Sequence, residues 1–509
     1  MRPTTSLLAT IALGFPAVAL AGKGKGSKCD GPLVTSKKLQ KHIKLENLLA
    51  GSQKLQDFAD AHGGNRAFGS GGHNATVDWL YDTLDALDYY DVVKQPFNEI
   101  FFAGSSILTI DGNELENTVM TYTPAGSVTT KLVYAPGLGC TAAEYPAEVK
   151  GNIALVSRGT CTFGEKSVGA KAAGAAGVIV YNNQNGTLSG TLGDPFGEYA
   201  PIVGISQADG EALIASLEAG EVTVDFQVDA TVEDRVNFNV IAETKGGDHD
   251  NVLILGGHSD SVVAGPGIND DGSGTVGVLN VALALANYGV NNAVRFAFWG
   301  AEEYGKLGSY YYIKQINSSS TELSKIRAYL NFDMIASPNY IYGIYDGNGD
   351  AFNLTGPAGS DVIEKDFEDF FDSHKVGHVP TEFSGRSDYA AFIENGIPSG
   401  GLFTGAEGLK TEAEAELFGG EAGVAYDVNY HQAGDDISNL AHDAFLLNTK
   451  SIANSVAKYA ASFDSLPAVN LAKRGWNADR ARFVKREDGA GHGHSHSHAG
   501  GPCGGGAVL

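Results

Sequence analysis

Val252-Leu253-Ile254-Leu255 is apolar without a break, as a strand covered on both faces would be. Residues 275–288 are apolar almost all round, the pattern of a helix buried on every side. Residues 293–299 read as a second strand and residues 329–335 as a third. Strands alternating with helices predict an α/β fold: a mostly parallel central sheet flanked by helices. Upstream the period is helical. Leu55, Phe58 and Ala59 recur at that spacing, as do Val77, Leu80, Leu84 and Leu87, so a helical region is expected from about residue 39 to 91. Short alternating strands are expected to follow, Ile107-Leu108-Thr109-Ile110 among them, before the turn Asp111-Gly112.

Between about residues 118 and 232 the pattern changes. Residues 131–134, 153–156 and 178–181 read as strands around an Ala/Gly-rich helix, and no catalytic constellation falls there. This stretch is expected to be a smaller inserted domain, with residues 39–117 and 233–465 forming the two parts of the principal one. The ends differ from both. Arg2 followed by the apolar run 7–21, closed by Ala19-Leu20-Ala21, reads as a signal peptide over 1–21. Residues 22–38 are expected to be a flexible or pro-segment, and 466–509 a disordered Gly/His-rich tail. The tail carries the dibasic pairs Lys473-Arg474 and Lys485-Arg486, and His492, His494, His496 and His498 alternating with small residues.

Composition narrows the function. At 509 residues, 43% hydrophobic and 19% charged, the chain reads as globular with more than one core. A formal net charge of −25 offers no basic surface for displacing phosphate counterions, which argues against a nucleic-acid partner. No later segment approaches about 20 uninterrupted apolar residues, so no membrane span is expected. Four cysteines are too few to hold a fold of this size together. Cys140 and Cys161 are close enough in sequence to bridge within the small domain, while the pairing of Cys29 and Cys503 stays open. With a signal peptide in front, Asn74, Asn185, Asn317 and Asn353 are candidate glycan sites on a secreted, monomeric chain.

The candidate chemistry gathers where the strands end. His258 and Asp260 follow the first strand, Asp270 a Gly/Pro-rich turn, Glu302 and Glu303 the second strand, and Asp333 lies in the third. His431 comes late. In open α/β sheets ligands collect beyond the carboxyl ends of the strands. Imidazole and carboxylate ligands suit zinc, and two ions about 3.5–4 Å apart need a shared carboxylate to offset their repulsion. Asp270 is the candidate bridge: one ion would take His258, Asp270 and Asp333, the other Asp270, Glu303 and His431. Asp260 is suited to hold the other N–H of the His258 ring. Neighbouring glutamates in a turn point in different directions, so Glu303 is read as ligand and Glu302 as general base. Tyr430 would donate its phenol to the tetrahedral oxyanion.

In chain order, Gly256 to Val262, Gly265 to Gly274, Trp299-Gly300-Ala301-Glu302-Glu303, Asn331 to Ile335 and Tyr430-His431 resemble the motifs of the co-catalytic di-zinc aminopeptidases of the aminopeptidase Y and bacterial secreted type. Gly300 is a minor departure, since most forms have Thr-Ala-Glu-Glu or a close variant. The similarity runs from about residue 39 to 463, and the type most resembled is the secreted fungal leucine aminopeptidase with an inserted protease-associated domain. Ser157-Arg158-Gly159-Thr160-Cys161-Thr162-Phe163, Lys166 and Ala172 to Val178 carry the likeness to that insert.

The resemblance implies a zinc exopeptidase fold, a β-rich α+β insert that shapes access without chemistry of its own, two Zn2+ per chain, and peptide substrates with a free N-terminus. It also implies that Asp333, Glu302 and the backbone of Arg386 receive the α-amino group. Met334, Phe403 and Tyr430 would line an apolar pocket for leucine or other apolar first residues. Three rivals share the frame. A carboxypeptidase or dipeptidase would need a fixed cation for a substrate carboxylate, with Arg386 the candidate; the others are a non-catalytic receptor-like relative and a single-zinc cyclase. No Gly-x-Ser-x-Gly elbow occurs, which argues against a serine hydrolase.

Overall fold

The computed structural model describes residues 31–317 and 320–468. The expected leader at 1–21, Cys29, Cys503, the dibasic pairs and the His-rich tract lie outside the described residues.

The sheet is built around four parallel strands, in the order Ser399–Phe403, Ile326–Phe332, Asp248–His258 and Asn292–Trp299. The unbroken apolar run explains why Asp248–His258 is central. Leu253 and Leu255 point into one core with Val276, Leu330 and Phe332, while Val252 and Ile254 point into another with Trp299, Tyr312 and Tyr329. A strand with one polar face could not be covered in this way. The first core is closed by the helices Leu45–Ala61, Gly272–Leu285, Ser360–His374 and His442–Ala461. The second is closed by Leu307–Asn317 and Tyr389–Ile393.

The smaller unit is itself a parallel sheet, Gly126–Tyr134, Ile153–Ser157, Gly177–Tyr181 and Ile202–Ile205, flanked by the helices Phe163–Ala173 and Gln207–Ala219. A disulfide joins Cys140 to Cys161 beside the first of these helices. Thr162 and Glu165 close a capping box there, each satisfying the other's backbone N–H.

Local boundaries differ from the sequence reading in instructive ways. The helical region before residue 91 resolves into Ser36–Gln40, Leu45–Ala61 and Gly71–Asp85. The third strand stops at Phe332, because the chain turns out at Asp333 and Met334 adopts φ +52°. The largest departure follows residue 90. Instead of short strands, Tyr90–Ile110 is one strand of 21 residues, paired antiparallel along its whole length with Thr223–Thr244. Pro96 and Gly104 interrupt the alternation locally, but a continuous ladder carries the strand past both. This ribbon runs from the core of the large unit, at Tyr90 and Val240, into that of the small one, at Leu108 and Phe226. Among the described residues no helix is long and apolar enough to cross a membrane.

Candidate metal centre

Three neighbouring parallel strands end in the acidic and imidazole groups, so the strand order brings residues far apart in sequence onto one edge. His258 is the last residue of Asp248–His258; Asp333 follows Ile326–Phe332; Glu302 and Glu303 follow Asn292–Trp299. Asp270 precedes the helix Gly272–Leu285, and His431 stands in a turn at φ +57°. His258 Nε2 lies 3.1 Å from Asp270 Oδ1 and 3.6 Å from Asp333 Oδ1. His431 Nε2 lies 3.2 Å from Asp270 Oδ2 and 3.0 Å from Glu303 Oε2. The ligand atoms within each trio lie within 4.8 Å of one another, and Asp270 belongs to both.

Electrostatics show what this cluster demands. Burial works against charge on His431, yet Glu303 and Asp270 pull its imidazole up to about 11. Burial also opposes ionisation of Asp270, but the hydrogen bond with His258 and the nearby His431 imidazole hold it below the ordinary carboxylate range. The buried His431 Nε2 faces two carboxylates without a hydrogen bond of acceptable geometry. A cluster that pulls protons onto its imidazoles is one that divalent cations would satisfy, and the donor set of imidazole and carboxylate fits zinc.

Asp260 is fully buried, and its Oδ1 lies 3.6 Å from His258 Nδ1, too long for a hydrogen bond. The same oxygen accepts from the backbone N–H of Glu302 at 3.1 Å, so Asp260 ties the first strand end to the second. Burial pushes Glu302 well above the usual carboxylate range, opposed by His258 and reinforced by Asp388, Asp333 and Glu303. Tyr430 stacks on His431 with ring centroids 3.8 Å apart. The Arg386 side chain pairs with Glu407 and also donates to Tyr430 Oη. Met334 is buried immediately after Asp333, and Phe403 is half-buried at the end of its strand. Asn74, Asn185 and Asn353 are exposed; Asn317, at the end of Leu307–Asn317, is half-buried.

Several supporting residues escaped the sequence reading. Asp271 caps the helix Gly272–Leu285 by accepting from Gly274 N at 2.8 Å, and it also accepts from Met334 N at 3.1 Å and His258 N at 3.0 Å. It thereby gathers the segments that carry His258, Asp270 and Asp333 around one carboxylate. The fit is close: a side chain at Gly274 would collide with Phe332 O and with that carboxylate. Asp435 accepts from Asn269 N at 2.8 Å and Asp270 N at 3.0 Å. Asn439 joins Asp435 to Asp427, and Asp427 in turn accepts from Asn269 Nδ2. The loop bearing His431 and the turn bearing Asp270 are therefore one hydrogen-bonded unit. Beneath both, the buried Arg66 donates to Ser259 O, Pro266 O and Gly267 O. The Asp after Asp270 was a visible capping signal. Nothing local marks Arg66 or Asp435, whose hydrogen bonds to the site's backbone reach more than a hundred residues along the chain.

The chain is similar in sequence and fold to known proteins. Residues 239–456 match the description Peptidase family M28, and residues 128–213 match the PA domain. The chain is 56% identical over 444 residues to probable leucine aminopeptidase 2 of Aspergillus fumigatus, covering 86% of this chain and 88% of that one. It is 52% identical over 438 residues to leucine aminopeptidase 2 of Trichophyton rubrum, again 86% of this chain and 88% of the relative. Among solved structures, the aminopeptidase from Aneurinibacillus sp. strain AM-1 superposes with a TM-score of 0.60 at 28% identity, over 86% of this chain and 98% of that one. BSAP, a zinc aminopeptidase from Bacillus subtilis, superposes with a TM-score of 0.54 at 25% identity, over 86% and 97%.

Proposed function

The chain belongs to peptidase family M28 and is a metallo-aminopeptidase, and from that premise we propose a secreted enzyme that uses two zinc ions to release apolar first residues, leucine above all, from peptides. The observation that carries the zinc count is the position of Asp270, which turns one carboxylate oxygen toward each of two His/carboxylate trios. His258, Asp270 and Asp333 would hold one ion; Asp270, Glu303 and His431 the other. Bound there, the ions would supply Lewis acidity and an attacking water that is acidic at neutral pH.

The chain's own residues do the rest. Glu302, buried at the end of its strand beside both trios, takes the proton of the attacking water as a carboxylate and delivers it to the departing amine. Asp260 holds the Glu302 backbone, which keeps that carboxyl aimed at the site. Tyr430 donates to the carbonyl oxygen as negative charge develops on it. Glu302, Asp333 and the Arg386 backbone receive the substrate's amino group, with Met334, Phe403 and Tyr430 around its side chain. The leucine preference is supported by the names of the fungal relatives, and secretion by the apolar run at 7–21.

A carboxypeptidase is disfavoured by the state of Arg386. Its guanidinium is already engaged by Glu407 at 2.7 and 3.3 Å, so it offers no free cation to a substrate carboxylate. The test is a panel of aminoacyl anilides with zinc-stripped and zinc-restored enzyme, alongside metal analysis. Leucyl anilide hydrolysis should vanish on stripping and return at two zinc per chain, and N-acetyl-leucyl anilide should resist cleavage. Full activity at one zinc per chain, or equal turnover of the acetylated substrate, would overturn the proposal.

A further inference from the structure

Arg386 stands on a segment that is pinned on both sides. Tyr389 Oη accepts from Gly385 N at 2.9 Å. Ser387 Oγ donates to Asp333 Oδ2 at 2.5 Å and accepts from Asn331 Nδ2 at 2.8 Å. From that fixed base the guanidinium reaches across the site. Nη1 and Nη2 donate to the two oxygens of Glu407 at 2.7 and 3.3 Å, and Nη2 also donates to Tyr430 Oη at 3.1 Å. The Tyr430 ring in turn lies on the His431 ring. One short segment thus touches a residue of the first trio through Ser387 and reaches the neighbour of a residue in the second through Arg386.

A phenol has one proton to give and an oxygen that can accept. In Tyr430 that oxygen accepts from the guanidinium, which has no acceptor to offer in return, so Arg386 orients the phenol without taking its proton. A cationic donor on the oxygen also polarises the O–H bond and makes it a stronger donor. We infer that Arg386, anchored by Glu407, is a positioning residue that holds the Tyr430 phenol against His431 with its proton directed at the substrate's carbonyl oxygen. The inference rests on the reading of Tyr430 as oxyanion donor. It gives the Arg386 side chain a task separate from that of its backbone.

The Arg386 side chain is half exposed, and an exposed ion pair adds little to stability. A merely structural pair would therefore leave turnover alone. The test is a double-mutant cycle on leucyl anilide hydrolysis, with zinc content and melting temperature recorded for every variant. Tyr430→Phe should lower kcat by roughly a hundredfold, the cost of losing one oxyanion donor. Arg386→Met should lower kcat roughly tenfold with KM nearly unchanged, the low end for a hydrogen bond to a charged group. Arg386→Lys should recover part of that loss, and Glu407→Gln should show a smaller one. In Tyr430→Phe, adding Arg386→Met should cost nothing more. If the two losses multiply instead, Arg386 acts elsewhere and the inference falls while the role of Tyr430 stands. Wild-type kcat in Tyr430→Phe would overturn both.

Discussion

Arg66 in the large unit and Lys166 in the small one are both buried cations that spend their N–H groups on backbone carbonyls. Arg66 donates to Ser259, Pro266 and Gly267; Lys166 donates to Leu138 and Ser157, and also to Cys161 Sγ. Burial lowers the proton affinity of each. The difference lies in what surrounds them. Arg66 sits in the field of Asp260, Asp435, Asp271 and Asp270, all buried, whereas Lys166 feels Glu144 and Glu165 at the surface of its unit. Both units are built on a run of parallel strands and both have buried strands, so architecture alone does not make a site. In the small unit Ile202–Ile205 leads straight into Ser206, whose hydroxyl caps the next helix. In the large unit the strands deliver His258, Glu302 and Asp333 instead, and a buried guanidinium offsets the charge that results.

That contrast can be broken most sharply at the strand ends. Glu302→Gln keeps the size and shape of the side chain but cannot carry a proton. Its kcat should fall by about 10²–10⁴-fold, the usual range for losing a general base, without loss of bound zinc. Stopped assays with metal analysis check this, and near-normal kcat would remove Glu302 from the chemistry.

The two cations should then separate. Arg66→Met leaves three carbonyls and a group of acids without their cation, at a cost of about 3–5 kcal/mol, as for breaking a buried pair. Zinc affinity, measured by competition with a chelator, should weaken with it. Lys166→Met should cost about 1–3 kcal/mol through unsatisfied acceptors and leave zinc affinity and kcat unchanged. Denaturant melts give the stabilities; equal effects of both variants on zinc would erase the distinction.

The smallest effect is one of pH. His73 is fully buried beside Arg66, with Nε2 2.9 Å from Ser259 Oγ, and burial lowers its imidazole to about 4. Folded-state proton affinity below the unfolded value of 6.5 means the unfolded chain binds the extra proton. Stability is then complete above that value and declines as pH falls through the window toward 4. Between about pH 7 and 5.5 the loss should be about 1 kcal/mol, and His73→Gln should flatten that part of the curve. An unchanged slope would place the proton elsewhere.

Much of this was legible in the chain because the signals were local. Val252 to Leu255 announced a doubly covered strand, and His258, Glu302 and Glu303 stood where a strand pattern stopped, while the apolar residues after Asp333 made that strand read three residues too long. The strand order that brings those ends together follows from parallel βαβ connections. What stayed hidden depends on partners across the fold. Arg66 lies in a Gly/Asn-rich turn and matters only because the turn at 265–267 folds over it. Asp435 looked like any loop acid until it met the backbone of Asn269 and Asp270. The long ribbon was missed for the same reason: each half of Tyr90–Ile110 is unremarkable alone, and only pairing with Thr223–Thr244 makes it one strand.

That ribbon means the small unit cannot be trimmed away to leave a bare peptidase. Phe97 and Phe101 of one strand pack with Phe68 and Ala301, the residue before Glu302, while Arg235 of the other lies over the Phe101 ring and donates to Phe68 O. One continuous ladder thus joins the core of the small unit to the wall behind Glu302.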